Sequence, residues 1–465
     1  MIRFFRHYVP AHTLLLVAIE GLILVSSIYF GVSARFMDSG QLPPDAVGSF
    51  LPIAAVFSLA MLTIMTAFGL YAWEWMAGAK EIVVRITASF LVGFVLMSLV
   101  FYIFPDLFLG RGAFALAFLF ALAGVTLVRL AFFKWSNLAI LKKRVLVLGT
   151  GSRAAKIETM LKSSTTANRV HIVGYLPLQG THHYVEHSRV LTERGPIADI
   201  IDRHNIDEVL IAVRDRRDGG LPTSELLECK LAGVSVIELS TFFERENGQV
   251  QLESLNASWM ILSEGFRQGL ARDAVKRAFD LFVSGLLLLV SLPAMALTAL
   301  LIRLESNGPI LYRQERIGQH GRPFTIFKFR SMRTDAESDG KPKWAGQNDD
   351  RTTRVGRIIR KLRIDELPQV FNVFMGDMSF VGPRPERPFF VQQLLKEIPY
   401  YASRHSVKPG ITGWAQVRYC YGASIEDAIE KLQYDLYYVK NHSLFLDLMI
   451  LFQTAQVVLW GKGAR

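Results

Sequence analysis

Four long apolar runs occupy the first third of the chain: His12 to Gly31, Phe50 to Ala72, Ile82 to Phe104 and Ala113 to Phe133. Each approaches or exceeds the 20 or so residues that carry a helix across a hydrocarbon core. The pattern therefore predicts a four-helix transmembrane bundle over residues 1–142. The first run is too long, and lacks the small-residue cleavage pattern, for a removable signal peptide. Basic residues near the run ends are uneven: Arg3, Arg6, Lys80, Arg85, Lys134, Lys142, Lys143 and Arg144 fall on one side, Arg35 and Arg111 on the other. That bias puts both ends of the bundle in the cytoplasm. Trp73 and Trp75 stand where an interfacial aromatic belt belongs. Glu20 is the one acidic residue well inside a run. A carboxylate at that depth is either a relay or ligand residue or, more often, a helix–helix contact. With so little polar lining, the runs read as an anchor and not as a pore.

After Lys143 the pattern changes. Val145 to Leu148, Val170 to Tyr175, Val209 to Val213 and Val234 to Leu239 read as buried strands, with helical stretches to Lys162, from Ile197 to His204 and from Ser224 to Ala232. Strand–helix alternation predicts an α/β Rossmann-like parallel sheet over 143–250. Gly149-x-Gly151-x-x-Ala154 falls between the first strand and helix, where glycines allow a tight turn and a helix N-terminus favours phosphate. Gly149 and Gly151 thus mark a candidate nucleotide loop. The acidic ribose partner expected some 20 residues on is missing, since the second strand ends Gly174-Tyr175-Leu176. Two readings stand for this module: a regulatory nucleotide site, or a purely architectural part.

A linker at 251–270 leads to the last segment, 271–465. Its apolar run, Leu281 to Ile302, is interrupted by Ser291-Leu292-Pro293, and both flanks are basic. Proline removes a helix hydrogen bond, and matching basic flanks favour both ends on one side. A re-entrant helix–break–helix over 276–304 is the expectation. A polar loop from Thr334 to Thr353 precedes a basic helix in which Val355, Ile358, Ile359 and Leu362 keep helical spacing. Asp365-Glu366-Leu367-Pro368-Gln369 follows. Asp365 is expected near a helix N-cap, held ionised by Arg360 and Arg363, and Glu366 offers oxygens for Mg²⁺, which prefers one or two carboxylates plus substrate phosphates. Ser424 to Tyr438 reads helical; Leu444 to Trp460 reads as an interfacial or packed helix whose Asp447 either aids the site or caps a helix.

Composition supports a lipid-associated chain: of 465 residues, 51% are hydrophobic and 20% charged, with 32 Phe. Lys plus Arg is 52 and Asp plus Glu 41, a net +11 that suits anionic partners. Nucleic acid ranks last among these, because the basic residues accompany lipid-facing runs. The two cysteines, Cys229 and Cys420, make neither a zinc site nor a disulfide framework.

Lys328-Phe-Arg-Ser-Met332, Arg360-Lys-Leu-Arg-Ile-Asp-Glu-Leu-Pro-Gln369, Phe380-Val-Gly-Pro-Arg-Pro385 and Lys408-Pro-Gly-Ile-Thr-Gly413 occur in that order. Together they resemble the bacterial monotopic polyprenyl-phosphate phosphoglycosyl transferases, over roughly Ala271 to Arg465. The four runs and Rossmann-like module are similar to that family's long form, and the chain is similar to its exosortase-associated exopolysaccharide members. The resemblance implies a membrane protein of mixed class: the bundle, the α/β module, and a mainly α monotopic catalytic domain on the cytoplasmic face of the bacterial inner membrane. It implies transfer of a sugar-1-phosphate from a UDP-sugar to undecaprenyl phosphate, with UMP released and Mg²⁺ as cofactor, feeding downstream glycosyltransferases. Asp365 matches the nucleophile and Glu366 its metal-binding partner. Arg360 and Arg384 fall beside the nucleotide-sugar phosphates, Lys328 near the centre with Arg330 two residues on, and Gln416 at a nucleotide contact. Ser291 and Pro293 match the re-entrant break, although Leu292 intervenes here.

Two rivals remain. A membrane-tethered NAD-dependent nucleotide-sugar dehydratase would need a Tyr followed four residues later by Lys, a spacing that no tyrosine here satisfies. A non-enzymatic scaffold of an export complex would tolerate alanine at Asp365, Glu366, Arg360 and Arg384. The bundle and sheet also offer surface for a homodimer.

Overall fold

The structure is a computed structural model. It describes residues 2–4, 7–36, 50–71, 79–136, 142–163, 170–178, 184–193, 195–213, 221–252, 266, 269–334, 351–419, 422 and 424–460. Trp73, Trp75, Arg6, Cys420, most of the 251–270 linker and most of the Thr334–Thr353 loop lie outside them. The chain forms two compact units, one from Val9–Gly248 and one from Gln249–Arg465 joined by the segment Arg3–Tyr8.

In the first unit the apolar runs fold as helices Ala11–Phe36, Leu51–Ala67, Ala79–Ile103 and Arg111–Ser136. Three are long and apolar enough to cross a membrane. The second is shorter than its run. Its 17 residues reach about 25 Å, and the chain then turns through Phe68 to Tyr71. That turn leaves backbone carbonyls without helix partners, and two arginines supply the donors. Arg85 donates to Phe68 O (3.1 Å) and Gly69 O (3.4 Å), and Arg129 to Leu70 O. Arg85, counted above among headgroup-facing cations, is in fact 1% exposed. Glu20 pairs with Arg129 at 2.7 Å and accepts from Tyr71 Oη, so it is a helix–helix contact. Around this polar knot Leu24, Phe57, Met61, Phe90, Phe114 and Val125 make a continuous apolar core.

The Rossmann-like module follows the alternation of its residues. The Lys143–Leu148 strand lies between Val170–Leu176 and Glu208–Ile211, with Ser235–Glu238 outside the latter, and all neighbours are parallel. Val145 and Val147 face the core that holds Ala154, Ile157, Phe242 and Phe243. Leu146 and Leu148 face the opposite one, with Ile197, Ile201, Leu226 and Cys229. Helices Ser152–Ser163 and Leu239–Asn247 therefore cover one face, and Ile197–His204 and Thr223–Leu231 the other. Gly149 adopts φ +107°, the left-handed region that favours glycine, and turns the chain into the Ser152 helix.

The second unit is built on the helix Leu270–Glu305. Ser291 and Pro293, the expected break, lie inside this one helix, and no non-helical residue separates two helices there. Proline removes a single donor, and the turns on either side keep theirs. One side of this helix, Asp280, Ser284, Ser291, Met295, Thr298 and Ile302, is buried, while Phe282, Leu286, Leu289, Val290, Leu297 and Leu304 on the other are exposed. Near its start Arg277 donates to Val373 O and Phe374 O, and Asp280 accepts from Ser379 and Phe380. Near its end Met295 and Ile302 pack with Phe329 and Ile359. Those two sets of partners are themselves joined, since Asn372 bonds Thr325 O and Phe327 N.

A second core surrounds Trp414, Leu436, Tyr437 and Tyr438, where helix Ile425–Asn441 meets Leu444–Trp460. Ser424 caps the former through a reciprocal bond with Asp427. His7 enters this unit from the chain start. Its Nδ1 lies 2.8 Å from Tyr437 Oη, and its ring stands edge-on to Trp414. Burial, helped by Arg418, pushes His7 down to about 3, so it is neutral.

Replacing Glu20 by Ala would leave Arg129 buried without its counter-ion. The expected cost is about 3–5 kcal/mol, read as a lower melting temperature in detergent. The double variant Glu20→Leu with Arg129→Leu should recover part of it.

Candidate active site

Strands Leu311–Ile317 and Pro323–Phe329 form an antiparallel hairpin over seven residue pairs. Ile326 and Phe329 are buried in different apolar clusters, and Lys328 between them reaches the Glu366 carboxylate. Helix Arg354–Lys361 starts at Thr353, whose side chain accepts from Gly356 N, and the Glu305 carboxylate takes the Arg354 and Val355 amides. Arg363 then adopts φ +60°, a left-handed conformation that costs a non-glycine residue about 1–2 kcal/mol. This reversal sets Ile364–Glu366 as a single 3₁₀ turn, with Pro368 as N-cap of helix Gln369–Met375. Asp365 lies inside that turn, three residues ahead of the cap position expected for it.

Three cations converge on one oxygen. Glu366 Oε1 is 2.7 Å from Arg384 Nη2, 3.0 Å from Lys328 Nζ and 3.7 Å from Arg363 Nη1. Burial alone would raise the Glu366 carboxyl, but Arg384, Lys328 and Arg363 outweigh it and hold it well below the ordinary range. Burial lowers Lys328. Asp365 behaves oppositely to its neighbour: burial, then the charge of Glu366, push it up to about 6. The neighbouring cations therefore do not lower the Asp365 carboxyl on balance: desolvation and the adjacent anion exceed the help from Lys328, Arg363 and Arg384. Asp365 Oδ1 is buried and accepts no hydrogen bond among the described residues.

This donor set suits Mg²⁺. No third His, Cys, Asp or Glu joins the pair to make a protein-only cage among the described residues, and Mg²⁺ commonly takes one or two carboxylates plus substrate phosphates. Both carboxylates would hold it: Asp365 Oδ1 is orphaned, and the cation contacts of Glu366 described here fall on Oε1.

Of the other residues singled out above, Arg384 and Lys328 reach the carboxylates. Arg330 does not: it is 6% exposed, and its guanidinium binds Asn307 O, Ser306 O and Ser306 Oγ. It clamps the end of the long helix to the hairpin. No described contact joins Arg360 or Gln416 to the dyad; Gln416 Nε2 leans toward Ile411 O at 3.5 Å. Gly149 and Gly151 belong to the first unit. The pattern missed the framework behind the site. Asp447 pairs with Lys276 at 2.8 Å and accepts from Tyr438 Oη, and Arg404 pairs with Asp435. Only a polar residue inside an apolar stretch, as at Asp447, could have signalled them.

Fold and site define a membrane protein with a cation-ringed carboxylate pair beside a membrane-length helix. The family model described as bacterial sugar transferase matches residues 271–461, and one described as CoA-binding domain matches 66–217. An uncharacterized sugar transferase of Bacillus subtilis, EpsL, is 43% identical over 195 residues, 41% of this chain and 90% of that protein. The chain belongs to the bacterial sugar transferase family. It is also 42% identical over 259 residues to a UDP-N-acetylgalactosamine-undecaprenyl-phosphate N-acetylgalactosaminephosphotransferase of Aeromonas hydrophila, 56% of this chain and 60% of the relative. A UDP-glucose:undecaprenyl-phosphate glucose-1-phosphate transferase of Klebsiella pneumoniae is 36% identical over 268 residues, 56% and 57% of the two chains. The chain thus spans little more than half the length of these last two relatives.

A carboxyl raised from 3.8 to about 6 favours its protonated form in the folded state. Its ionisation therefore costs stability as pH rises from about 4 to about 6, and the whole cost is present above that. Asp365→Asn should melt higher than the parent at pH 8, by roughly 1–3 kcal/mol of stability, and no higher at pH 4. A parent–variant gap that is the same at both pH values would refute this.

Proposed function

We propose that this chain transfers a sugar-1-phosphate from a UDP-sugar to undecaprenyl phosphate at the cytoplasmic face of a bacterial membrane. Undecaprenyl-diphosphate-sugar and UMP are the products, and the step opens synthesis of an exopolysaccharide or similar glycoconjugate. The activities named for the Aeromonas and Klebsiella relatives support the donor and acceptor classes. The observation that supports the mechanism is the buried Asp365 Oδ1, unbonded among the described residues, next to a glutamate that gathers the cations.

In this reading Asp365 attacks the sugar-bearing phosphorus. The bond from that phosphorus to the UMP oxygen breaks, and UMP leaves with the electron pair. The lipid phosphate oxygen then attacks the same phosphorus and frees Asp365. One difficult displacement becomes two. A pKa of about 6 leaves the anion in about ten-fold excess at pH 7 and retains more basicity than an ordinary aspartate. Lys328 and Arg384, already fixed by Glu366, need no reorganisation to meet the charge that develops on the diphosphate. Mg²⁺, held by Asp365, Glu366 and the diphosphate, would supply further neutralisation of that charge.

The long helix fits the two-phase substrate problem. Partners at both its ends belong to one bonded body, which a full crossing would have to divide across the bilayer. A helix that lies in one leaflet with both ends on one side satisfies this, and its exposed leucines then meet lipid.

With protein in nanodiscs, Mg²⁺, undecaprenyl phosphate and a panel of UDP-sugars, UMP release should require both substrates. It should fall by at least about 10³-fold in Asp365→Asn. The parent's kcat/KM should rise with pH through an acid limb near 6, where Asp365 loses its proton; bound Mg²⁺ moves that limb down. Turnover that survives in Asp365→Asn, with deamidation excluded, overturns the covalent route.

A further inference from the structure

The loop that carries Arg384 is held at every residue. Phe380 N donates to Asp280, and Val381 O accepts from Tyr438, Lys276 and Ser379. Gly382 N donates to Thr412 O, and Pro383 O accepts from Gly410 N. Arg384 O accepts from Arg404 Nη2 at 2.9 Å, Pro385 O from Arg316 Nη1 at 3.0 Å, and Glu386 O from Ile317 N. Three of these nine bonds join backbone to backbone, and the other six end on side chains. The grip on Arg384 itself comes from a charge buried at evident cost. Arg404 is 6% exposed and its counter-ion Asp435 2%.

A buried ion pair is often no more stabilising than apolar residues of the same size, so stability alone does not account for placing one here. What an arginine adds is a rigid planar fork. Arg404 Nε reaches Asp435 Oδ2 at 3.0 Å, Nη1 reaches Tyr401 Oη at 2.8 Å, and Nη2 reaches Arg384 O. Asp435 and Tyr401 fix the plane of the fork, and the fork fixes the peptide from which the Arg384 side chain departs toward Glu366.

We infer that Arg404, oriented by Asp435, is a positioning residue that aims Arg384 at the donor diphosphate. It acts through the Arg384 backbone and touches neither substrate nor the carboxylates. The inference rests on the reading of Arg384 as a diphosphate ligand given above. It makes a claim that a merely structural residue does not satisfy: the effect of changing Arg404 must vanish when Arg384 no longer binds phosphate.

The test is a double-mutant cycle on affinity for UDP with Mg²⁺, measured by calorimetry on the full-length protein in nanodiscs. Arg404→Lys keeps the charge but loses the fork, and should raise the Kd roughly ten-fold. In an Arg384→Gln background the same change should add less than about two-fold, because the contact it aims is gone. Asp435→Asn serves as the second route if Arg404→Lys does not fold, with the same pattern expected. In turnover the Arg404→Lys variant should show its loss chiefly in KM for the UDP-sugar. Losses that multiply independently in the double variant overturn the positioning role, as does unchanged UDP affinity in a folded Arg404→Lys protein. A parent protein that binds no UDP would instead overturn the reading of the site on which the inference rests.

Discussion

Two neighbouring carboxylates in a half-buried site cannot both remain charged unless fixed cations stand against them. That constraint organises the second unit. Glu366 is the anion that stays ionised, and Lys328, Arg363 and Arg384 are gathered on one of its oxygens. Asp365 is left with a raised pKa and an empty oxygen. Each cation arrives on a different element: the hairpin strand, a left-handed residue between two helices, and a loop gripped at each peptide. The two acids are chemically alike and adjacent, and only the placement of cations gives them different roles.

The same economy explains which parts of this arrangement could be read from the residues. Periodicity was sufficient for the sheet, since Val145 and Val147 alternate with Leu146 and Leu148 between two helical layers. The motif-bearing residues Asp365, Glu366, Lys328 and Arg384 did converge. Arg330 misled because its neighbour in sequence, Lys328, does reach the site; a strand turns residues two apart to the same side, yet the guanidinium was needed at the Ser306 end of the long helix. Arg404 and Asp435 were illegible for another reason. They lie 31 positions apart, the peptide that Arg404 holds is 20 away, and no local pattern distinguishes a buried arginine from a surface one.

In the first unit the apolar pattern overstated one element. A run of 23 residues from Phe50 to Ala72 supplies a helix of 17, and hydropathy is blind to the turn because the turn is itself apolar. Its carbonyls are bonded by arginines on two other helices. Glu20 then neutralises Arg129. The charge cluster serves to finish a short helix by bonding the carbonyls of the turn that ends it.

The segment Arg3–Tyr8 belongs to the second unit although Val9–Gly248 of the first unit lies between it and the rest in sequence. His7 rests against Trp414, Tyr437 and Phe445, some 400 residues downstream. Loop-closure entropy grows only slowly with the length of the loop closed, so a contact this distant costs little more than a nearer one. The second unit is therefore discontinuous in sequence: a fragment that begins at Gln249 lacks the imidazole that stands against Trp414 and bonds Tyr437 Oη.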